Sequence, residues 1–199
     1  MTDRRQNWIR LRTMILIRWI AIAGQIAALV GAQYYYGLKL ELGLCYLTVG
    51  VSAMGNLVAS FIFPENKRLS ESENFTMVMF DLLQLCFLLY LTGGLHNPFS
   101  LLVLGPVTVS AAVLSLRSTL ILGATALFLV TGMVFFHLPL RSQMGFVLRI
   151  PDIFVFGQWL AISIALVFIS IYSRRTAVEM HSMSDALAAT QLALARAPK

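Results

Sequence analysis

Residues Asn74–Leu91 read NFTMVMFDLLQLCFLLYL, and Thr92–Phe99 read TGGLHNPF. The first stretch carries one formal charge, Asp81, in a run close to the roughly 20 apolar residues that cross a bilayer as a helix. Ser70, Ser72 and Asn74 are cap-type residues ahead of it, and Glu71 and Glu73 suit a helix N-terminus. Gly93-Gly94 and Asn97-Pro98 end it.

The same pattern repeats on both sides. Before this run lie Met14–Tyr36, closed by Tyr34-Tyr35-Tyr36 at headgroup level, and Leu42–Phe63, stopped by Pro64 and the charged Glu65-Asn66-Lys67-Arg68. After it come Ser100–Leu116, with Pro106 expected to kink it, then Thr119–Phe136 and Asp152–Tyr172. Of the 199 residues, 58% are hydrophobic and 12% charged, about half the charged share of a soluble domain. A soluble fold of this length has no core large enough to hide that surface. The chain therefore reads as an all-α polytopic membrane protein, a six-helix transmembrane bundle. Its expected parts are a cytoplasmic N-terminal arm (1–13), the six spans (14–172) and a cytoplasmic linker helix (173–199).

The net charge of +6 does not imply nucleic acid, because Lys and Arg cluster between apolar runs instead of forming one basic face. The N-terminal arginines (Arg4, Arg5, Arg10, Arg12 and Arg18), Lys67-Arg68, Arg117 and Arg174-Arg175 fall on one side of the membrane. That side is expected to be cytoplasmic, with both termini there; Arg141 and Arg149 oppose the rule and are outvoted. The first apolar run outlasts a signal-peptide core and shows no small-residue cleavage site, so it reads as a retained span. Beyond Arg175 the residues are good helix formers, with Val178, Met180, Met183, Leu187, Leu192 and Leu194 loosely spaced as a seam. This reads as a signalling helix leading towards an absent module, in a chain cut from something larger.

Few residues offer chemistry. Asp81 lies about 15 Å from either end of its span, where an acid must be paired, neutralised or wetted. Gln84 sits one turn on, and Leu88 and Thr92 continue that face towards the glycines. Two readings stand. One is a polar stripe serving a ligand, a proton or an interhelical bond; the other is a protonated Asp81 bonded to a neighbouring span. The loop is similarly double. Gly93, Gly94, Asn97, Pro98 and Phe99 suit a small pocket, with backbone amides and the Asn97 amide for a carbonyl oxygen and Phe99 for a ring. They equally suit a plain interhelical turn. His96 and His137 stand at span ends, and His181 lies in the linker; no pair of them has metal-ligand spacing. Cys45 and Cys86 read as buried apolar residues, and Gly24 and Gly31 as helix-packing notches. No nucleophile elbow, Walker loop or zinc-protease helix is present, so no residue reads as catalytic.

Gly93-Gly94-Leu95-His96-Asn97-Pro98-Phe99, a GGxxNPF heptapeptide between the third and fourth of six spans, resembles the membrane domain of the RegB/PrrB/ActS family of redox-responsive sensor histidine kinases. The continuation Ser100–Thr108 and the exit segment Asp185–Arg196 are similar to that family too. The resemblance implies a quinone-binding, redox-sensing input domain that controls a kinase in response to the quinone pool. It implies ubiquinone or another membrane quinone as bound ligand, without metal, at Gly93, Gly94, Asn97, Pro98 and Phe99. His96 is a variable position of the motif and a weaker candidate, as are Asp81 and Gln84. Membrane lipid, a homodimeric partner and a cognate response regulator acting through the absent kinase module are implied as well, with location in the bacterial inner membrane. The full-length protein is then a histidine protein kinase. The competing class is a small six-span substrate-binding subunit of a membrane transporter, with Asp81 lining the path. A quinone-using enzyme would need a second redox centre, for which no haem, flavin or metal ligands are seen.

Overall fold

The computed structural model describes residues 11–62 and 69–172. The expectations for the N-terminal arm up to Arg10, for the break at Pro64 with Lys67 and Arg68, and for the helix and His181 beyond Arg175 lie outside these described residues.

Six helices follow in chain order: α1 (Leu11–Tyr34), α2 (Leu42–Ile62), α3 (Glu71–Leu91), α4 (Leu104–Val113), α5 (Leu116–Phe135) and α6 (Asp152–Tyr172). All but α4 are long and apolar enough to cross a membrane. The bundle turns its apolar side chains outward as well as inward. Leu16, Ile20, Phe61, Phe128 and Ile164 are all exposed, as a bilayer solvent permits.

The α3 helix is the central element, packed by α2, α4 and α5. Its start is a capping box. Ser70 Oγ accepts from Glu73 N–H, and the Glu73 carboxylate accepts from Ser70 N–H at 2.8 Å, satisfying two orphan donors for about 1 kcal/mol. Of the three cap-type residues, Ser70 therefore takes the role, and the helix begins three residues before Asn74. Leu82, Leu85, Cys86 and Leu89 carry α3 into a core shared with Val103 and Val107, Leu122, Ala126 and Val130 of α5, and Val155, Ile162 and Leu166 of α6. Cys45 and Cys86 are both buried and unpaired, as small apolar residues would be.

One expectation is corrected. The fourth span is not one kinked α-helix. Tight 3-10 turns run Gly94–His96 and Pro98–Val103, and only then does α4 begin. Pro106 falls in the first turn of α4, where a missing N–H costs no intrahelical bond, so it starts the helix instead of bending it. The connections carry a short ribbon. Leu38–Lys39 (β1) and Arg141–Ser142 (β2) pair antiparallel, Leu38 opposite Ser142. This small ribbon ties the α1–α2 connection to the α5–α6 connection on the side of the bundle that holds the heptapeptide.

Candidate ligand site between α1 and α3

The heptapeptide loop is built mainly from its own hydrogen bonds. Gly93 and Gly94 take φ of 104° and 57°, a region that side chains with a Cβ rarely occupy. There is a second reason for glycine. A Cβ on Gly94 would lie 2.8 Å from His137 Cβ and 3.1 Å from the Met133 carbonyl oxygen, and one on Gly93 would lie 3.2 Å from Leu140 Cβ. The glycines let the end of α5 and the following connection close onto the loop.

Asn97 stands extended before Pro98, as a pre-proline residue should. Its Oδ1 accepts from Phe99 N–H at 2.9 Å, and its Nδ2 donates to Thr92 Oγ1 at 2.8 Å. Thr92 in turn donates to the Leu88 carbonyl at 2.8 Å. The backbone N–H groups of His96, Asn97 and Ser100 donate to Gly93, Gly94 and Asn97 carbonyls. These amides, the Asn97 side chain among them, are therefore already paired, and what they contribute is chiefly a shape. That shape is one end of a cavity of about 890 Å³ opening between α1 and α3.

His96, Asn97, Pro98 and Phe99 line the cavity; Gly93 and Gly94 do not. The long sides are Leu85, Leu88 and Leu89 of α3 and small residues of α1, among them Ala28 and Ala32. Gly24 and Gly31 line it too, with nothing within 4 Å of where a Cβ would stand. They are not the packing notches expected of them: they keep α1 thin where the cavity needs room. The third side is the α5–α6 connection, through Leu140, Leu148, Arg149 and Ile150.

Asp81 and Gln84 are not among the lining residues. They belong to a polar ladder between α1 and α3. Arg18 Nη2 lies 2.6 Å from Asp81 Oδ1, and Arg18 Nε donates to the same oxygen at 2.8 Å. The Arg18 guanidinium also lies over the Phe80 ring, 5.5 Å from its centroid. Along the helices in the direction of the heptapeptide, Gln25 and Gln84 exchange amide hydrogen bonds of 3.2 and 3.0 Å. Of this pair Gln25 lines the cavity, with Gln84 holding it from α3. Asp81 thus makes the interhelical bond that one of its two readings expects, and its partner is Arg18. Arg18 is 9% exposed and does not sit in solvent.

His96 Nδ1 accepts from Ile150 N–H at 3.2 Å, and its ring meets that of His137 at a centroid distance of 4.9 Å. Burial, and then the neighbouring His137 and Arg149, hold the His96 pKa below the usual histidine value, with Asp152 opposing. At neutral pH His96 is therefore uncharged, which matches its role as acceptor. The His137 Nδ1 lies 3.1 Å from the Met133 carbonyl, which only accepts, so that nitrogen carries the proton. Next to the loop, the fully buried Ser100 accepts from Gln158 Nε2 of α6.

Sequence reasoning missed Gln25, Arg18 and Arg149 as parts of this region. Their signal was available in part: Arg18 and Gln25 are seven residues apart, two helical turns, and hence on one face of an otherwise apolar helix.

The fold defines an all-α polytopic membrane domain, and the comparisons agree. Residues 1–147 match the PilS-like transmembrane domain, a six-span model, and the chain belongs to that family. Over 197 residues it is 53% identical to the sensor histidine kinase RegB of Cereibacter sphaeroides, and 54% identical to RegB of C. sphaeroides strain ATCC 17023. Each alignment takes in 99% of this chain and 43% of the relative, so the chain spans less than half the length of the relatives it matches. No solved structure matches the chain.

Proposed function

We propose that this domain binds a membrane quinone, ubiquinone or a close analogue, in the α1–α3 cavity and reports its redox state to a histidine kinase module. The observation that carries this reading is the heptapeptide's Asn97-Pro98-Phe99 face forming one end of an apolar cavity. Its volume lies within the roughly 300–1,000 Å³ usual for small-molecule sites. An isoprenoid tail suits the leucines of α3 and the alanines of α1. A ring suits the end built by Pro98 and Phe99, where Phe99 is 46% exposed and available for stacking.

A ligand moves an equilibrium only through different affinities for its states. Oxidised and reduced heads differ in donors and acceptors, so they differ in fit to the polar groups near the loop. Two polar ties lead from that loop towards α6: Ser100 with Gln158, and His96 with Ile150, two residues before the helix starts. A change in the loop then reaches the last span and, through it, a kinase that acts as a homodimer on a response regulator. In this reading the bundle sits in the bacterial inner membrane with both termini in the cytoplasm.

The test is to purify the chain, extract its lipids and quantify retained quinone, then repeat with Phe99→Ala and Gly31→Leu. Leucine at Gly31 projects into open space, so it fills the cavity without a clash. Both variants should keep the fold and lose at least about tenfold in affinity, the loss of roughly 1.4 kcal/mol of contact. Unchanged retention in both, or a wild-type chain that binds no added quinone, would sink the reading.

A further inference from the structure

The α5–α6 connection forms one wall of the cavity, and its attachments are unequal. At its start, Leu138 N–H donates to the Tyr90 carbonyl at 2.9 Å. In its middle, β2 pairs with β1, and Gln143 N–H donates to the Gly37 carbonyl at 2.8 Å. At its end the backbone is held to the loop by a side chain, through Ile150 N–H and His96 Nδ1. Pro151 follows and has no N–H to offer instead. The last tie therefore depends on one lone pair of one imidazole.

A neutral imidazole has a single acceptor nitrogen, and an imidazolium has none. Protonating His96 thus removes the acceptor and turns the contact into two N–H groups facing each other. It also sets a positive charge beside His137 at the end of α5 and Arg149 on the connection, with Asp152 at the start of α6 opposing them in part. His137 is no second latch: its Nδ1–H bond to the Met133 carbonyl persists in either protonation state.

We propose that neutral His96 is a positioning residue that pins the Arg149–Ile150 part of the cavity wall against the loop, and that its protonation releases that part. Leu148 stays tied, its N–H donating to the Leu140 carbonyl at 2.8 Å; the segment freed carries two lining residues, Arg149 and Ile150, and leads directly into α6. Acid therefore opens the site and loosens its link to the last span together. Because burial, His137 and Arg149 lower the His96 pKa, the tie is complete at neutral pH and is lost as pH falls below the ordinary histidine range. The inference deepens the reading of this cavity as a quinone site, but its first test needs no ligand.

That test is hydrogen–deuterium exchange of the Ile150 amide in the chain held in lipid nanodiscs, at about pH 7.5 and about pH 5, corrected for intrinsic exchange. Protection should fall about fivefold on acidification, the weight of one hydrogen bond. In His96→Asn the side-chain oxygen accepts in place of Nδ1 and does not titrate, so protection should hold at both pH values. His137→Asn should keep the acid response. Equal wild-type protection at both pH values would overturn the proposal, as would an acid response that survives in His96→Asn. Release of an added short-tailed ubiquinone should quicken by a similar factor in wild type and in His137→Asn, and not in His96→Asn. A release rate that ignores pH while the amide responds would overturn the claim that this wall retains the ligand. Absence of any ubiquinone binding would sink the quinone reading and leave the latch decided by the amide.

Discussion

Gly94 carries two requirements at one residue. Its φ of 57° is strained for any side chain, and a Cβ there would press on His137 and on the Met133 carbonyl. Gly94→Ala should destabilise the protein by about 1–3 kcal/mol, because neither backbone nor neighbour can give without moving the end of α5. The check is the midpoint of denaturant unfolding in mixed micelles; a shift below about 0.5 kcal/mol would show that the contact yields easily. The need for glycine was legible in the sequence, since consecutive glycines before Asn-Pro mark a tight turn. What the second glycine makes room for was not, because His137 is more than forty residues away. The same holds for Asn97. Its capping of the following turn is a local habit of the residue, readable from Asn-Pro, whereas its bond to Thr92 depends on how α3 ends.

At the scale of elements, the deciding feature is the ladder joining α1 to α3. A carboxylate or a guanidinium alone in a bilayer is costly, and together they satisfy each other. Asp81→Leu and Arg18→Met should each destabilise by about 3 kcal/mol, since each leaves a charged partner unpaired. The double variant Arg18→Met with Asp81→Leu should cost less than either single change. A double-mutant cycle of unfolding free energies measures this, and additive losses would mean that the pair contributes nothing as a pair. The depth of Asp81 and its demand for a partner were evident from its place in the third apolar run. The identity of the partner was hidden because Arg18 extends a cluster of arginines that reads as a topology signal. Only the packing of α1 beside α3 shows that this arginine faces inward. Gly24 and Gly31 were misread for a related reason: small residues on a span suit either a close helix contact or a gap, and the neighbour's distance decides which.

For the molecule as a whole, the count and order of spans follow from hydrophobic length and from the charges between runs, both of which are local. The same charges predict a cytoplasmic location for both termini, and reporter fusions at each end should report the cytoplasm; a reporter found outside at either end would overturn the assignment. The sequence by itself determined that this chain is an all-α membrane bundle with a tight Gly-Gly/Asn-Pro turn between its third and fourth spans. These are consequences of bilayer thickness, of the cost of charge in hydrocarbon and of backbone sterics, which act over a few turns of chain. Tertiary structure alone decided that the turn closes one end of a cavity and that α1 forms one of its long sides. It also decided that His96 holds the connection leading to α6. Those outcomes depend on which helices become neighbours, a matter of side-chain fit between segments distant in sequence, which no local pattern encodes.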